Sequence, residues 1–419
     1  MNSFQTIVLG IFGFFIIAGL IVIATVKAND SNDQAVTVTL WGTVSSEYMG
    51  EVIDKNFDSD VMTVQYSEFP EGALDSQLVE ALASGYGPDA LILPAELIMR
   101  HQGKLVPVPY ANLTERQFRD SYIQGAEIFL GPTGALALPF SVDPLVMYYN
   151  RDILESEGLV AAPRFWDEFL TLGGKLTRRD SIGNISRSAV ALGEFRNISH
   201  AKEIIAALLF QSGNPIIGLE EGKLVSKLES NSASVLDFYT EFANSQKPSY
   251  SWNRAQKPSR EAFTSSRLAI YFGFGSELKA IRQQNPNLNF DVAAFPNPRG
   301  TELPLTYGKI SGIAVMRSSR NPSAALSAAY TLTSPRGIAA YQAISGEPPV
   351  RRDLLLARPT DAYGGVLFDG ALRSRTFLDP NPSATTPIFQ TMIESITSGK
   401  LRSNDALGDA SSKLQALIR

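Results

Sequence analysis

The sequence predicts an α/β fold arranged as two lobes, preceded by one N-terminal transmembrane helix. Three observations predict it. The chain has 419 residues, and single hydrophobic cores usually stop growing below about 300. Strand-like and helix-like patterns alternate from Val36 as far as Asn150, the rhythm of a largely parallel sheet covered by helices. The stretch "ALPFSVDPLVMYYN", Ala137 to Asn150, is apolar on both sides yet interrupted by Pro139 and by Asp143-Pro144. That pattern suits a segment joining two lobes.

Composition bounds the function. Hydrophobic residues at 44% and charged ones at 19% describe a folded globular protein. The net charge of −5, from 37 bases and 42 acids with no long run of either sign, excludes a nucleic-acid partner, which needs a basic stripe. With no cysteine, disulfides, thiolate metal sites and a lipid-modified cysteine anchor are excluded as well.

In chain order, "IVLGIFGFFIIAGLIVIATV", Ile7 to Val26, comes first: 20 residues without a charge, enough to cross a bilayer core of about 30 Å. Residues 1–28 read as a membrane anchor. The rival is a signal peptide cleaved after Ala28, but its apolar part would usually run roughly 7–15 residues behind a basic start, and Met1 to Thr6 carries no lysine or arginine. Either reading puts the bulk of the chain outside the cytoplasm. Residues 29–35 are a polar tether.

"VTVTLW", Val36 to Trp41, alternates as an opening strand does. Leu74, Leu78, Ala81 and Leu82 share one helical face that Gly85 ends, and "PDALIL" follows as a buried strand. Beyond Asn150, helices are expected near 166–176, 200–211, 235–244 and 260–265, with strands at Arg267–Gly273, Phe290–Phe295 and Ile310–Met316. Asn321-Pro322, Ser334-Pro335 and Thr386-Pro387 each read as a cap followed by a first-turn proline. A last helix runs from Asp405 to Ile418.

Several catalytic-looking strings fail. "GLEEGKL", Gly218 to Leu224, lacks one residue between its glycines and the hydroxyl residue of a phosphate loop, and "GFGSEL", Gly273 to Leu278, lacks the third glycine of a dinucleotide fingerprint. Both read as turns. His101 and His200 are the only histidines. Without cysteine they make a poor zinc set, and no nucleophile elbow accompanies them. No cofactor is expected.

"ALPFSVDPLVMYYNRDILESEGL" (Ala137–Leu159), followed by "PRFWDEF" (Pro163–Phe169), resembles the family 1 extracellular solute-binding proteins, the maltose- and sugar-type receptors of ABC importers. Further blocks match in the family's order: Leu78–Leu93, Ala262–Ile281, Pro286–Gly300, Gly308–Pro335 and Ser345–Asp353. The resemblance covers nearly everything after Ala35. It implies the two-lobed periplasmic-binding-protein-like fold of type II, with lobe 1 at 36–140 and 297–346 and lobe 2 at 141–296 and 347–419. Leu138–Asp143, Phe295–Pro298 and Glu347–Val350 would be the crossovers that absorb hinge closure.

A ligand would lie between the lobes, beyond the carboxyl ends of strands. Saccharides need aromatic faces for their C–H surfaces and polar groups for their hydroxyls. The expected contacts are Trp41, Thr43, Ser45, Glu96 and Asp143, then Glu194, Arg196, Asn197 and Trp252, and finally Phe274, Ser276 and Tyr307. Rival structural roles stand beside them: a turn cap for Asp143, a surface ion pair for Arg196, core packing for Trp41. Trp166, inside an amphipathic helix, reads as core, and Tyr148 and Tyr149 as packing under the hinge.

Two departures argue against a long maltodextrin. Leu93 and Ser276 stand where the family often has tryptophan. A further departure, Phe165 in place of a capping threonine, touches stability and not the ligand. The implied function is a monomeric, membrane-tethered receptor that captures a sugar and delivers it to ABC permease subunits powered by a separate ATPase, because no Walker motif occurs here. The alternatives are an anchored enzyme acting on polysaccharide through paired carboxylates, and a binding module repurposed for sensing or adhesion.

Overall fold

The computed structural model describes residues 35–301 and 304–418. Contacts divide the described residues into a small unit, 35–37 with 57–63, and a main unit, 38–56 with 64–301 and 304–418; the main unit carries the site described below. The expected membrane helix at Ile7–Val26 lies outside the described residues. Among the described residues no helix is long and apolar enough to cross a membrane.

Two long strands, Leu138–Asn150 and Thr306–Met316, form the spine of the main sheet. They pair antiparallel, with Val142 opposite Ile310 and Asp143 opposite Lys309. Both prolines of the Leu138–Asn150 strand face glycines: Pro139 lies opposite Gly312 and Pro144 opposite Gly308. A proline cannot donate to the ladder, and here the register shifts between Ser311 and Gly312. The backbones approach so closely that a Cβ on Gly312 would lie 2.9 Å from that of Ala137.

The long strand changes neighbours along its length. Its first half pairs with Thr306–Met316, which pairs in turn with Ala90–Pro94. Ala90–Pro94 runs parallel to Val36–Gly42, with Leu40 opposite Ala90 and Trp41 opposite Leu91. Its second half pairs with Leu268–Phe274 and Phe290–Ala293, and Leu268–Phe274 runs parallel to Ile185–Val190. The interrupted stretch singled out in the sequence is therefore one strand serving two half-sheets. Helices cover both, and the result is a two-lobed α/β fold.

Trp166 is a core residue. Its ring meets those of Phe169, Phe238, Phe272 and Phe295, and its Nε1 donates to Gln211 Oε1 at 2.6 Å. Burying an aromatic of this size contributes about 1.5–3 kcal/mol. Tyr148 is fully buried under the spine, its hydroxyl donating to the Phe274 carbonyl at 2.6 Å. Glu168 accepts from the Arg164 and Phe165 backbone N–H groups at 2.7 and 3.3 Å, so half of a capping box survives without a threonine.

Three helix starts read from sequence divide. Ser334 caps the Pro335–Ser345 helix, its hydroxyl accepting from Gly337 N–H at 3.1 Å. Asn321 occupies the cap position of Pro322–Leu332 but makes no side-chain cap bond. Thr386-Pro387 does not open a helix. That helix runs from Pro382 to Thr397 and holds Pro387 inside it. Asn381-Pro382 is the earlier cap-and-proline pair, and it supplies the first turn.

Candidate functional site

The site is a cavity of about 580 Å³ beside the spine, within the ~300–1,000 Å³ of small-molecule pockets. Thr43, Val44 and Ser45 reach it from the end of Val36–Gly42, and Pro94 to Leu97 from the end of Ala90–Pro94. These strands are parallel, so their carboxyl ends open on the same edge, as the general rule for open sheets requires. Gly42 permits the first loop: an added Cβ would meet Ile92 Cβ at 2.9 Å. Tyr66 steadies that loop, its hydroxyl donating to the Val44 carbonyl at 2.6 Å.

Ser141 and Asp143 enter the wall from the long strand, and Tyr307 and Lys309 from its partner. From the other half-sheet comes Ser276, just past Leu268–Phe274. Its backbone N–H donates to Asp143 Oδ1 at 3.1 Å. Gly275 makes this contact possible, since a Cβ there would sit 2.5 Å from Leu367 Cδ2 and 3.2 Å from Asp143 Oδ1. Behind it, Glu277 accepts from the Phe274 N–H at 2.8 Å and the Tyr271 hydroxyl at 2.7 Å, with His200 Nε2 at 2.8 Å. Burial alone would raise the Glu277 pKa; the His200 bond and charge with these other donors hold it below the ordinary carboxylate value. A charged Glu277 thus pins the loop that carries Ser276.

The cavity wall is acidic. Glu71, Asp75, Glu96, Asp143 and Glu347 line it against one base, Lys309. The Lys309 ammonium lies 3.1 Å from both Glu71 oxygens and 4.7 Å from the Phe274 ring centre. Asp75 is held by Arg100 Nε at 3.0 Å and His101 Nε2 at 2.8 Å. Burial pushes the His101 pKa down, so the neutral ring donates from Nε2 to Asp75 while Nδ1 accepts from Lys104 at 3.1 Å.

Asp143 and Glu347 are the perturbed pair. Burial pushes Asp143 up to about 6, against the opposing pull of Ser276 and Lys309. Burial, then repulsion from Asp143, pushes Glu347 up to about 8. Glu347 keeps part of its surface, and that surface faces the cavity. Burial likewise raises Glu96, although Lys202 opposes it. Among the described residues no group of histidines and carboxylates converges to hold a metal ion.

Six expected contacts meet here: Thr43, Ser45, Glu96, Asp143, Ser276 and Tyr307. The other six lie elsewhere. Trp41 packs on Phe69, with ring centres 4.6 Å apart. Phe274 is buried beneath Lys309 and edge-on to His200. Trp252 is fully buried, its Nε1 donating to Asn197 Oδ1 at 3.0 Å, so it offers no face to a ligand. Asn197 also donates to the Asn253 and Gln256 carbonyls at 2.9 Å. Glu194 pairs with Arg254 at 2.9 Å and exposed Arg196 with Glu394 at 2.7 Å. These bonds are structural: Glu194 and Asn197 tie the Gly193 loop to the segment after Ser251, and Arg196 ties it to the Pro382–Thr397 helix.

Sequence reasoning missed Tyr48, Glu71, Asp75, Lys309, Tyr341 and Glu347. Glu347 had a signal, a lone carboxylate in the proline-rich stretch "GEPPV". Lys309 had none, because its meaning comes only from standing opposite Asp143.

Residues 54–365 match the family model described as bacterial extracellular solute-binding protein. The chain belongs to that family. Its members are binding proteins, which sets aside the enzymatic alternative, and membership places this solute-binding protein outside the cytoplasm. A protein of Brucella abortus (strain 2308), named only as a binding protein, is 21% identical over 96% of this chain and 98% of its own length. Among solved structures, a cyclo/maltodextrin-binding protein complexed with maltotetraose superposes with a TM-score of 0.73 at 15% identity, over 93% of this chain and 99% of that one. The Thermus thermophilus maltotriose binding protein gives 0.67 at 18%, over 91% and 100%. A solute-binding protein of an ABC transporter from Thermotoga lettingae, bound with α-D-tagatose, gives 0.68 at 20%, over 92% and 100%. At such identities the likeness is one of fold.

Proposed function

We propose that this solute-binding protein is the receptor of an ABC importer for a saccharide no longer than a short oligosaccharide. The observation that carries the reading is the cavity itself. Its wall takes Thr43, Ser45 and Glu96 from one half-sheet and Ser276 from the other, with Asp143 and Lys309 on the spine between them. Such a wall offers hydroxyls, carboxylates and an ammonium to a hydroxylated guest. Its aromatic members are Tyr48, Tyr307 and Tyr341, and two of these are buried. With so little ring surface to stack on, a long chain of sugar units has no platform.

In this reading lobe 1 comprises 36–140 and 297–346, and lobe 2 comprises 141–296 and 347–419. Closure about Leu138–Asp143, Phe295–Pro298 and Glu347–Val350 buries the guest, and permease subunits with a separate ATPase receive it. The chain acts as a monomer, tethered through Ile7–Val26 on the strength of that run's length and apolarity. Calorimetric titration of the full chain with mono-, di- and trisaccharides tests the proposal. Saturable heat from at least one is expected; silence across the panel from folded protein overturns it.

A further inference from the structure

His200 stands just before the Ala201–Gln211 helix at φ 58°, ψ 29°. This is the left-handed region, which costs a residue that carries a Cβ. Cap residues are ordinarily extended and turn a side-chain acceptor to the free N–H groups of the first turn. His200 is not extended, and its side chain makes no cap bond. The ring reaches Glu277 instead, 77 positions on in the chain. Local strain persists where surrounding contacts over-determine it, and it gathers at functional sites.

Printed step by step in the geometry, the contacts lead from His200 into the cavity. Nε2 lies 2.8 Å from Glu277 Oε1, and against a charged carboxylate it must carry the proton. The same oxygen accepts the Phe274 N–H at 2.8 Å. Oε2 accepts the Tyr271 hydroxyl at 2.7 Å and has Arg260 Nε at 3.5 Å. Phe274 and Glu277 flank the turn through Gly275 and Ser276, so one carboxylate fixes both ends of it. Within that turn the Ser276 N–H meets Asp143 Oδ1 at 3.1 Å in the cavity wall. Phe274 and Tyr271 belong to the strand that leads into the turn. His200 comes from elsewhere: its helix packs on Thr306–Met316, the strand that gives Tyr307 and Lys309 to the same wall.

We infer that His200 is a positioning residue of the binding site, whose Nε2–H holds Glu277 and, through it, sets the Ser276 N–H against Asp143. The inference rests on the saccharide reading above and adds to it a residue that is not itself among those lining the cavity.

Two substitutions separate this role from one in the backbone or the core. His200→Gln keeps a donor close to the place of Nε2, on a backbone that suits glutamine less well. His200→Asn suits the left-handed backbone better but is too short to reach Glu277. The full chain and both variants are compared by amide hydrogen exchange at Phe274 and Ser276 and by calorimetry with glucose, maltose and maltotriose. Melting confirms that each is folded at the titration temperature. His200→Gln should keep exchange and affinity within about threefold of the parent. His200→Asn should speed exchange at both amides and weaken the tightest of the three sugars by about tenfold or more. Parent-like exchange or affinity in the His200→Asn chain overturns the inference, as do equal losses in both variants. Failure of both to fold overturns it too, because the ring would then serve the core. If none of the sugars binds the parent, the saccharide reading falls, and the exchange comparison alone decides whether His200 holds the Ser276 turn.

Discussion

Asp143 stands opposite Lys309 in the spine, yet the Lys309 ammonium lies 3.1 Å from both oxygens of Glu71. Opposite charges directly across two strands ordinarily stabilise a sheet. Here Glu71 raises the Lys309 pKa against the effect of burial, while Asp143 is left to the cavity with Glu347. Lys309 still acts on both carboxyls through its field, opposing the rise that burial imposes. Lys309→Met should therefore move Asp143 and Glu347 to higher pKa. Carboxyl carbon shifts followed by NMR against pH read this directly, and midpoints that stay put would contradict the arrangement.

The same pair makes stability depend on pH with a definite sign. Unfolded, the two groups titrate near about 4; folded, Asp143 titrates at about 6 and Glu347 at about 8. Between those limits the folded chain holds more protons than the unfolded one, so their contribution falls as pH rises. It is complete below about pH 4 and lost above about pH 8. Glu347→Gln, which cannot ionise, should melt higher than the parent at about pH 9 and lose that advantage towards about pH 4. A melting difference that does not change with pH would sink this.

How much of this was legible depends on what each signal reported. Alternation and proline punctuation marked the long strand Leu138–Asn150 because local pattern and tertiary role coincide there. The ends of the parallel strands led to Thr43, Ser45 and Glu96 for the same reason. Trp252 and Asn197 misled because an indole and an amide that bond each other in the interior look, in sequence, like a stacking platform and a hydroxyl partner. Pro387 misled because Asn381-Pro382 had already opened this helix, which carries Pro387 inside it. Glu71 and Lys309 were illegible, since 238 positions separate partners that only the folded sheet edge brings together.

The Gly275 contact predicts a loss of affinity from a residue that has no side chain. Gly275→Val places atoms where Leu367 Cδ2 lies at 2.5 Å and Asp143 Oδ1 at 3.2 Å. Leucine's tip yields easily, the carboxylate less so, and the Ser276 N–H must move away. The expected result is a stability cost of about 1–3 kcal/mol with affinity reduced by about tenfold or more, to be read by melting and calorimetry on the same sample. Unchanged affinity would show that the Ser276–Asp143 contact has no part in binding.

Trp252→Phe separates core from site. The ring is fully buried and its Nε1 bonds Asn197 at 3.0 Å, so the change leaves Asn197 short of a donor and a gap beside it. A cost of about 1–3 kcal/mol is expected in denaturant unfolding, with affinity for the guest unaltered. A selective loss of binding without loss of stability would return Trp252 to the ligand set.

The strongest single-residue effect on folding should come from Lys202. Its ammonium lies 2.5 Å from Asp379 Oδ2 and 2.8 Å from Thr385 Oγ1, with both ends of the pair nearly closed to solvent. The pair ties the Ala201–Gln211 helix to the segment just before the Pro382–Thr397 helix, and the Thr385 bond reaches that helix itself. Replacing a buried ion pair outright is often neutral, but removing one partner strands the other charge and costs about 3–5 kcal/mol. Lys202→Met should accordingly lose that much in urea unfolding. Asp379→Asn on the same background should restore most of it, because the amide carries no charge yet can still accept the Asn381 N–H, now 3.0 Å from Asp379 Oδ1. A single variant costing under about 1 kcal/mol, or a double variant no better than the single, would mean that the ammonium and carboxylate do not depend on each other for their burial.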